Sequence, residues 1–323
     1  MSSIVVGLSG GVDSKIAATL LMEDGFDVIG VTILIPGAKE VDTSQLSKEL
    51  GFEIIKIDVS ERFHRLVLDP FKKSYEIGKT PNPCVLCNPL VKFASLTEFA
   101  DSKGIDFIAT GHYAGSKNGF LLRGKNPDRD QSYMLHRLSN ETLTRTIFPL
   151  YNVQKQDVIQ LAENMGFTVS KDSQDLCFSP ANHYTKILCA KASEGNIVDL
   201  ENNVIGTHNG VHNYTVGQKL GMFGKKLYVK RIDHQKNLIV LCSDEKLFER
   251  SITIKDVNWI LEPDTDICEV RIRHTRKLAL AKISKKPSGK VNIDFFEPRR
   301  APAPGQSAVM YSGEYVLGGG FII

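Results

Sequence analysis

Ile4-Val5-Val6-Gly7-Leu8-Ser9-Gly10-Gly11-Val12-Asp13-Ser14-Lys15-Ile16-Ala17-Ala18-Thr19-Leu20-Leu21 is the stretch on which the fold turns. Residues 4–8 are a short unbroken apolar run, the pattern of a strand buried on both faces. A glycine turn follows, and then Ile16, Ala17, Leu20 and Leu21 share one face of a helix over 14–24 that Gly25 stops. Working outward, residues 28–35 form a second apolar strand, 43–50 a helix closed by Gly51, and 53–58 a third strand. Strand, helix, strand, helix, strand is the order of an α/β domain with a parallel, helix-covered sheet. Residues 63–77 and 90–103 read as helices, and 106–110 as a further strand running into Gly111-His112-Tyr113. Ligands of such sheets bind at the carboxyl ends of the strands, here residues 9–13, Ile33 and residues 111–113.

After about residue 195 helical periodicity fades and short strand-like runs alternate with turns such as Glu201-Asn202-Asn203 and Asp233-His234-Gln235. From 251 onward the alternation persists through 269–272, 278–283, 291–295, 307–311 and 315–317, which predicts a small antiparallel barrel or sandwich. The expected division is therefore a catalytic domain over 1–195, a small central domain over 196–250 and a C-terminal β-barrel over 251–323. A length of 323 residues, 42% hydrophobic and 24% charged, suits a multidomain globular protein. No apolar run approaches the roughly 18 residues that span a bilayer, so no membrane partner is expected. The N-terminal segment, residues 1–11, has no basic region ahead of a long apolar one, and the expected location is the cytoplasm.

The net charge of +3 is too small for wholesale coating of nucleic acid, but it is unevenly spread. Residues 271–300 hold ten basic and two acidic side chains, a local +8. Residues 217–231 are acid-free and carry Lys219, Lys225, Lys226, Lys230 and Arg231. Such clusters are solvated faces unless other signals point to a polyanion.

Ser9-Gly10-Gly11-Val12-Asp13-Ser14 lies between a strand and a helix. Two glycines let the backbone approach an anion, the helix start offers unpaired N–H groups and a positive dipole end, and two serines add hydroxyls. This predicts a phosphate cradle. The loop lacks the Lys-Ser/Thr ending of a Walker A loop. It resembles instead the loop of enzymes that split ATP into AMP and pyrophosphate while adenylating a substrate. Gly7-Leu8-Ser9-Gly10-Gly11 also fits the G-x-S-x-G nucleophile elbow, but only six residues precede Gly7, leaving no upstream strand and loop for the second oxyanion donor.

Six cysteines in a chain of this kind point to metal or redox chemistry before disulfide scaffolding. Cys84 and Cys87 form a C-x-x-C behind Pro81 and Pro83, and the expected helix start at Cys87 would lower its thiol pKa. A structural zinc site would need two further ligands, for which Cys177 and His183 are available. Cys189, Cys242 and Cys268 sit in apolar or alternating surroundings and read as ordinary thiols.

Ser9 to Ser14, Gly78-Lys79-Thr80-Pro81-Asn82-Pro83 with Cys87-Asn88, and Ala109-Thr110-Gly111-His112-Tyr113 are followed by Asp130-Gln131-Ser132-Tyr133. Next come Lys171-Asp172-Ser173-Gln174-Asp175-Leu176-Cys177-Phe178, Tyr214-Thr215-Val216-Gly217-Gln218, Pro304-Gly305-Gln306 and Leu317-Gly318-Gly319-Gly320. In content and order this set resembles the tRNA-specific 2-thiouridylases over essentially the whole chain. The resemblance implies an ATP pyrophosphatase domain, a small central domain and a C-terminal barrel, with tRNA as substrate and thiolation of C2 of the wobble uridine as the reaction. It implies ATP on Gly7, Leu8, Ser9, Gly10, Gly11, Val12, Asp13 and Ser14, with Ile33 and Gly111 near the adenosine and Mg²⁺ at Asp13. It also implies Asn82, Pro83 and Cys84 at the target base, and His112, Arg129, Asp130, Gln131, Arg273, His274 and Gln306 near tRNA.

In that reading Cys177 takes sulfur as a persulfide from a sulfur-carrier protein or a cysteine-desulfurase relay, and Cys87 resolves it, leaving a Cys87–Cys177 disulfide. Many family members carry Asp where this chain has Cys84. Cys84, Cys87 and Cys177 could instead hold three irons of a [4Fe-4S] cluster whose fourth iron binds sulfide. The connection over 36–42 is also shorter than the family usually has.

Overall fold

The computed structural model describes residues 2–169, 176–179, 188, 193–222, 224–275 and 277–323. The string 171–175, His183, Cys189 and Arg276 lie outside the described residues. The chain forms two compact units. One comprises Met1–Val67, Cys84–Asn182 and Gly313–Val316, the other Leu68–Pro83, His183–Ser312 and Leu317–Ile323.

In the first unit β1 (Ser3–Gly7), β2 (Asp27–Leu34), β3 (Ile54–Asp58), β4 (Phe107–Thr110) and β7 (Thr146–Ile147) form a parallel sheet in the order β3-β2-β1-β4-β7. Ile4, Val5 and Val6 are wholly buried, as an apolar run in a central parallel strand must be. Helix α1 (Val12–Glu23) lays Ile16, Ala17 and Leu21 on this sheet. Helix α2 (Thr43–Leu50) starts where the Asp42 carboxylate accepts from the Gln45 amide, and it ends at Gly51 in the left-handed conformation. Because α1 begins at Val12, Asp13 and Ser14 stand in its first turn.

The strand order reverses direction at β1, which pairs with β2 on one side and β4 on the other; Gly7 is in register with both Val31 and Thr110. The chain leaving β1 and the chain leaving β4 therefore emerge side by side at the carboxyl edge, the crevice where such sheets bind ligands. Their approach is close. A Cβ on Gly111 would lie 2.8 Å from the Asp13 carbonyl oxygen and 2.9 Å from the Ser14 amide nitrogen. Beyond Tyr113 the hairpin β5 (Ala114–Lys117) and β6 (Phe120–Arg123) turns on Asn118 and Gly119, both at positive φ, and Leu122 pairs with Tyr315.

The second unit holds two β structures. β8 (Glu194–Val198), β9 (Val204–Asn209), β10 (Lys219–Met222), β11 (Lys225–Asp233) and β12 (Leu238–Cys242) form a sheet ordered β10-β11-β12-β8-β9. β13 (Phe248–Trp259), β14 (Ile267–Arg271), β15 (Ala279–Lys285), β16 (Val291–Arg300), β17 (Ser307–Ser312) and β18 (Tyr315–Ile322) follow. Their order is β13-β16-β15-β14-β17-β18, and pairing of β13 with β18 closes an antiparallel barrel, which removes its edges. Alternate residues point inward: Val270, Ala281, Ile283, Ile293, Phe295 and Met310 fill the interior. Val216, Cys242, Leu247, Ala301 and Ala303 form one apolar cluster that joins the two β structures. Linear boundaries at 195 and 250 describe the order of the segments, and the contacts interleave them further by taking residues 68–83 into this unit.

The Gly111 contact yields a direct expectation. Gly111→Ala should lower unfolding stability by about 1–3 kcal/mol, because the methyl must displace backbone rather than a flexible side chain. A urea midpoint equal to that of the parent would show that the two loops do not meet as described.

Candidate active site

Gly11 caps α1 in an extended conformation and contributes no side chain; the Ser14 amide donates to the Gly11 carbonyl at 3.1 Å, which leaves the Val12 and Asp13 N–H groups for an incoming acceptor. Gly10 takes positive φ to make the turn. The Ser14 hydroxyl organises the loop: it donates to the Gly11 carbonyl at 2.8 Å and accepts from the Ser9 amide at 3.2 Å. The Ser9 hydroxyl lies 3.3 Å from that of Ser14, and the Gly11 amide donates to it at 3.4 Å. Ile33 stands near the end of β2, in register with Ile57.

Asp13 is the charged residue of the loop. Its Oδ1 accepts from the Tyr113 hydroxyl at 2.8 Å and from the Lys155 ammonium at 2.7 Å. Asp13 thus binds together the ends of β1 and β4 and the helix Lys155–Asn164.

Cys84 and Cys87 open and close a single helical turn, Cys84–Cys87, continued by a π-helix over Asn88–Phe93 and an α-helix over Ala94–Ser102. Cys87 is therefore not at the helix start. It is buried, and burial pushes its thiol up to about 12, with Lys92 acting in the opposite sense. The expectation of a dipole-lowered Cys87 is overturned, because desolvation of the thiolate outweighs one helix end. Cys84 is raised for the same first reason. Cys177 is exposed, in a turn between Leu176 and Ser179. That turn is anchored by Phe178, whose ring meets Phe63 edge-on at 5.3 Å. Cys84, Cys87 and Cys177 are not joined in a disulfide, and a thiolate at any of them would act on the others and on Lys92.

Lys92 was not foreseen. It follows Cys87 by five residues, well past one turn of an α-helix but about one turn of a π-helix, so the π-helix turns it toward the cysteine face. Burial disfavours its charge, but Cys87, Cys177 and Cys84 outweigh that and hold its pKa above the usual lysine value. Among the described residues no three His, Cys, Asp or Glu side chains converge as a metal-holding set.

His112 is half-buried, and desolvation first, then the Lys92 charge, push its pKa down to about 3, so it is a neutral imidazole at physiological pH. Its Nδ1 is 2.9 Å from the Thr110 hydroxyl. Asp130 is buried, and its Oδ1 accepts from the Gly124 and Ser132 amides, so it shapes its own loop. Gln131 pairs with Tyr113 through both its backbone and its side chain, at 2.9 Å each. Arg129 is half-buried on the same loop.

In the second unit Gln306 donates to the Thr80 carbonyl at 2.8 Å, and the Thr80 amide donates to Pro304. The strap bearing Asn82 and Pro83 is thereby fixed against the turn at Gly305. Arg273 donates to the Ala301 carbonyl at 2.5 Å, and the neighbouring His274 is exposed. Half of the ten basic residues of 271–300 are engaged within the fold: besides Arg273, Arg271 is buried over the Tyr311 ring, Arg300 pairs with Asp244, and the exposed Lys282 and Lys285 pair with Asp266 and Glu262. Lys277, Lys286 and Lys290 are exposed as well.

The chain matches the family described as tRNA methyl transferase HUP domain over residues 2–181. It also matches the tRNA methyl transferase PRC-barrel domain over 185–243 and the aminomethyltransferase β-barrel domain over 249–322. It is 38% identical to the tRNA-specific 2-thiouridylase MnmA of Treponema denticola, covering 99% of this chain and 97% of that protein. The chain belongs to the tRNA-specific 2-thiouridylases. The relative from Rickettsia typhi is 37% identical over 100% of this chain and 99% of its own length. Among solved structures, a 4-thiouridine synthetase–RNA complex with bound ATP aligns at 16% identity and a TM-score of 0.35, covering 51% of this chain and 41% of that chain. The family membership accords with the sequence-based resemblance, and the nearness of Lys92 to the cysteines adds what the motifs did not carry.

Burial and charge order the reactivity of these thiols. Iodoacetamide at pH 8 should label Cys177 first and Cys87 at least about tenfold more slowly, with Cys87 labelling accelerating as pH rises toward its pKa. Lys92→Met removes the charge that lowers the Cys84 and Cys87 pKa values, so it should slow both further. Peptide mass spectrometry of timed samples measures this, and Cys87 labelling as fast as Cys177 would contradict it.

Proposed function

We propose that this thiouridylase converts the wobble uridine of tRNA to 2-thiouridine, using ATP to activate the C2 oxygen and a cysteine persulfide to deliver sulfur. The observation that carries the reading is a glycine-built anion cradle, with no side-chain cap, in the same unit as three cysteines that are near Lys92 and in no disulfide. A pyrimidine carbonyl oxygen is a poor leaving group. Attack of O2 on the α-phosphorus of ATP forms the O–P bond, expels pyrophosphate and releases the N3 proton, leaving AMP as a good leaving group. Mg²⁺ held by Asp13 and the phosphates would neutralise charge there.

The terminal sulfur of a Cys177 persulfide then attacks C2 and AMP departs with the C–O electron pair. Cys87 attacks the Cys177 sulfur, the S–S bond breaks, and sulfur stays on the base while a Cys87–Cys177 disulfide forms. An external thiol reductant restores both thiols. Exposure of Cys177 suits access by a sulfur-carrier protein or a desulfurase relay, and burial of Cys87 suits a resolving thiol shielded from other reagents. Neutral His112 suits a hydrogen bond to a base rather than a phosphate contact. The proposed binding set for tRNA remains Asn82, Pro83, Cys84, His112, Arg129, Asp130, Gln131, Arg273, His274 and Gln306. For ATP it is residues 7–14 with Ile33 and Gly111.

The proposed segment roles are catalysis over 1–195, a central domain over 196–250 and a barrel over 251–323, supported by family matches over 2–181, 185–243 and 249–322. No helix among the described residues is long and apolar enough to cross a membrane. We place the protein's work in the cytoplasm, where its substrate is.

The test is pyrophosphate release and nucleoside mass spectrometry on the full chain with unmodified tRNA, ATP and a persulfide donor. Asp13→Ala should lower pyrophosphate release by about 100-fold or more. Cys177→Ser and Cys87→Ser should stop thiolation, while Cys84→Ser should keep it within about tenfold of the parent. Undiminished release from Asp13→Ala would remove the ATP assignment. A dead Cys84→Ser together with stoichiometric iron in anaerobic protein would replace the relay with a cluster.

Exposed Lys277, Lys286 and Lys290 are assigned to phosphate contacts. Changing all three to Gln should weaken tRNA binding and flatten the dependence of log K on log salt by up to about 0.9 per lysine. An unchanged slope in filter-binding titrations would assign the interface elsewhere.

A further inference from the structure

Lys155 breaks a local rule. It stands in the first turn of the helix Lys155–Asn164, where the dipole disfavours a cation, and it is only 9% exposed. Its ammonium reaches Asp13 Oδ1 at 2.7 Å across 142 residues of chain, and Tyr113 donates to the same oxygen at 2.8 Å. With the Asp13 side chain 32% exposed, the pair is a weak device for stability. Its position, beside the glycine loop at the carboxyl edge of the sheet, is where a ligand of this fold sits. The basic residue nearest in sequence to the loop is committed elsewhere: Lys15 pairs with Glu49 at 2.5 Å and lies 5.1 Å from the centre of the Phe167 ring. The cradle thus takes its cation from a distant helix, and Asp13 and Tyr113 hold that cation's partner in place.

We propose that Lys155 is a catalytic residue of the adenylation step, its ammonium passing from Asp13 to the oxygens of ATP and stabilising the charge that gathers on the departing pyrophosphate. The inference rests on the adenylation reading of the proposed function. As O2 of the base bonds to the α-phosphorus, the bond from that phosphorus to the bridging oxygen breaks and its electron pair leaves on pyrophosphate. Lys155 stays protonated throughout, and nothing is oxidised or reduced. A fixed ammonium in a partly dehydrated cradle acts most strongly on charge that exists only in the transition state.

Lys155→Met and Lys155→Arg in the full chain, with unmodified tRNA, test this through both binding and chemistry. Lys155→Met should lower kcat for pyrophosphate release by about 100-fold or more while the Kd for ATP shifts by less than about tenfold, and Lys155→Arg should recover part of the rate. The decisive readout is a series of ATP analogues bridged β–γ by CH2, CCl2 or CF2, which differ in leaving-group acidity. Loss of the ammonium should make the rate depend more steeply on that acidity, an effect that a purely structural role would not produce. If Lys155→Met does not fold, Lys155→Arg carries the same comparison through its altered reach. A kcat within about threefold of the parent, or an equal loss for all analogues, would overturn the assignment. A parent enzyme that releases no pyrophosphate with tRNA would instead overturn the adenylation reading itself.

Discussion

The backbone of Gly111 lies against the Asp13 carbonyl and the Ser14 amide, and the rest of the catalytic unit is arranged around that contact. It follows from β1 pairing in parallel with β2 on one side and β4 on the other, so that the chains leaving β1 and β4 share one crevice. No side chain fits between them, and the glycine lets two backbones approach as a Cβ would not. Through this approach Tyr113, two residues past Gly111, reaches the Asp13 carboxylate, and the same carboxylate holds Lys155. A rigid sheet edge thus fixes the side chains around an anion cradle whose own loop is built mostly from glycine and serine.

The cysteine cluster is governed by a different balance. Burial raises Cys84 and Cys87, and Lys92 draws them back, so both stay protonated thiols beside a half-buried lysine. Each group alone would be costly there, and together they offset one another. The π-helix at Asn88–Phe93 belongs to this arrangement, since a wider turn is what brings a residue five positions on to the side of Cys87. The outcome separates an exposed thiol, Cys177, from a buried one, Cys87.

Charge in the second unit shows why composition overstates a binding surface. Arg271, Arg273 and Arg300 spend their guanidinium groups on an aromatic ring, backbone carbonyls and a carboxylate, which ties strands and turns of the barrel and its neighbouring sheet together. Among the described residues Lys277, Lys282, Lys285, Lys286 and Lys290 are exposed, two of them in ion pairs. A polyanion therefore meets a smaller and more discrete set of cations than a count along the chain suggests.

The amino-acid sequence by itself determined the parallel sheet, the glycine turn with its helix start, the β-rich second half and the family, because these are written in short-range periodicity and in motifs whose residues are neighbours in the chain. It also carries two quieter local signals: Asn118-Gly119 is a hairpin turn, and Lys155 is a cation at a helix start where the dipole opposes it. Only the tertiary structure decided that Cys87 is held as a thiol by burial, that Asp130 and Gln131 brace their own loop, and that residues 68–83 pack with the second unit. Desolvation, pairing and long-range contact depend on what lies across the fold, so no window along the chain contains them.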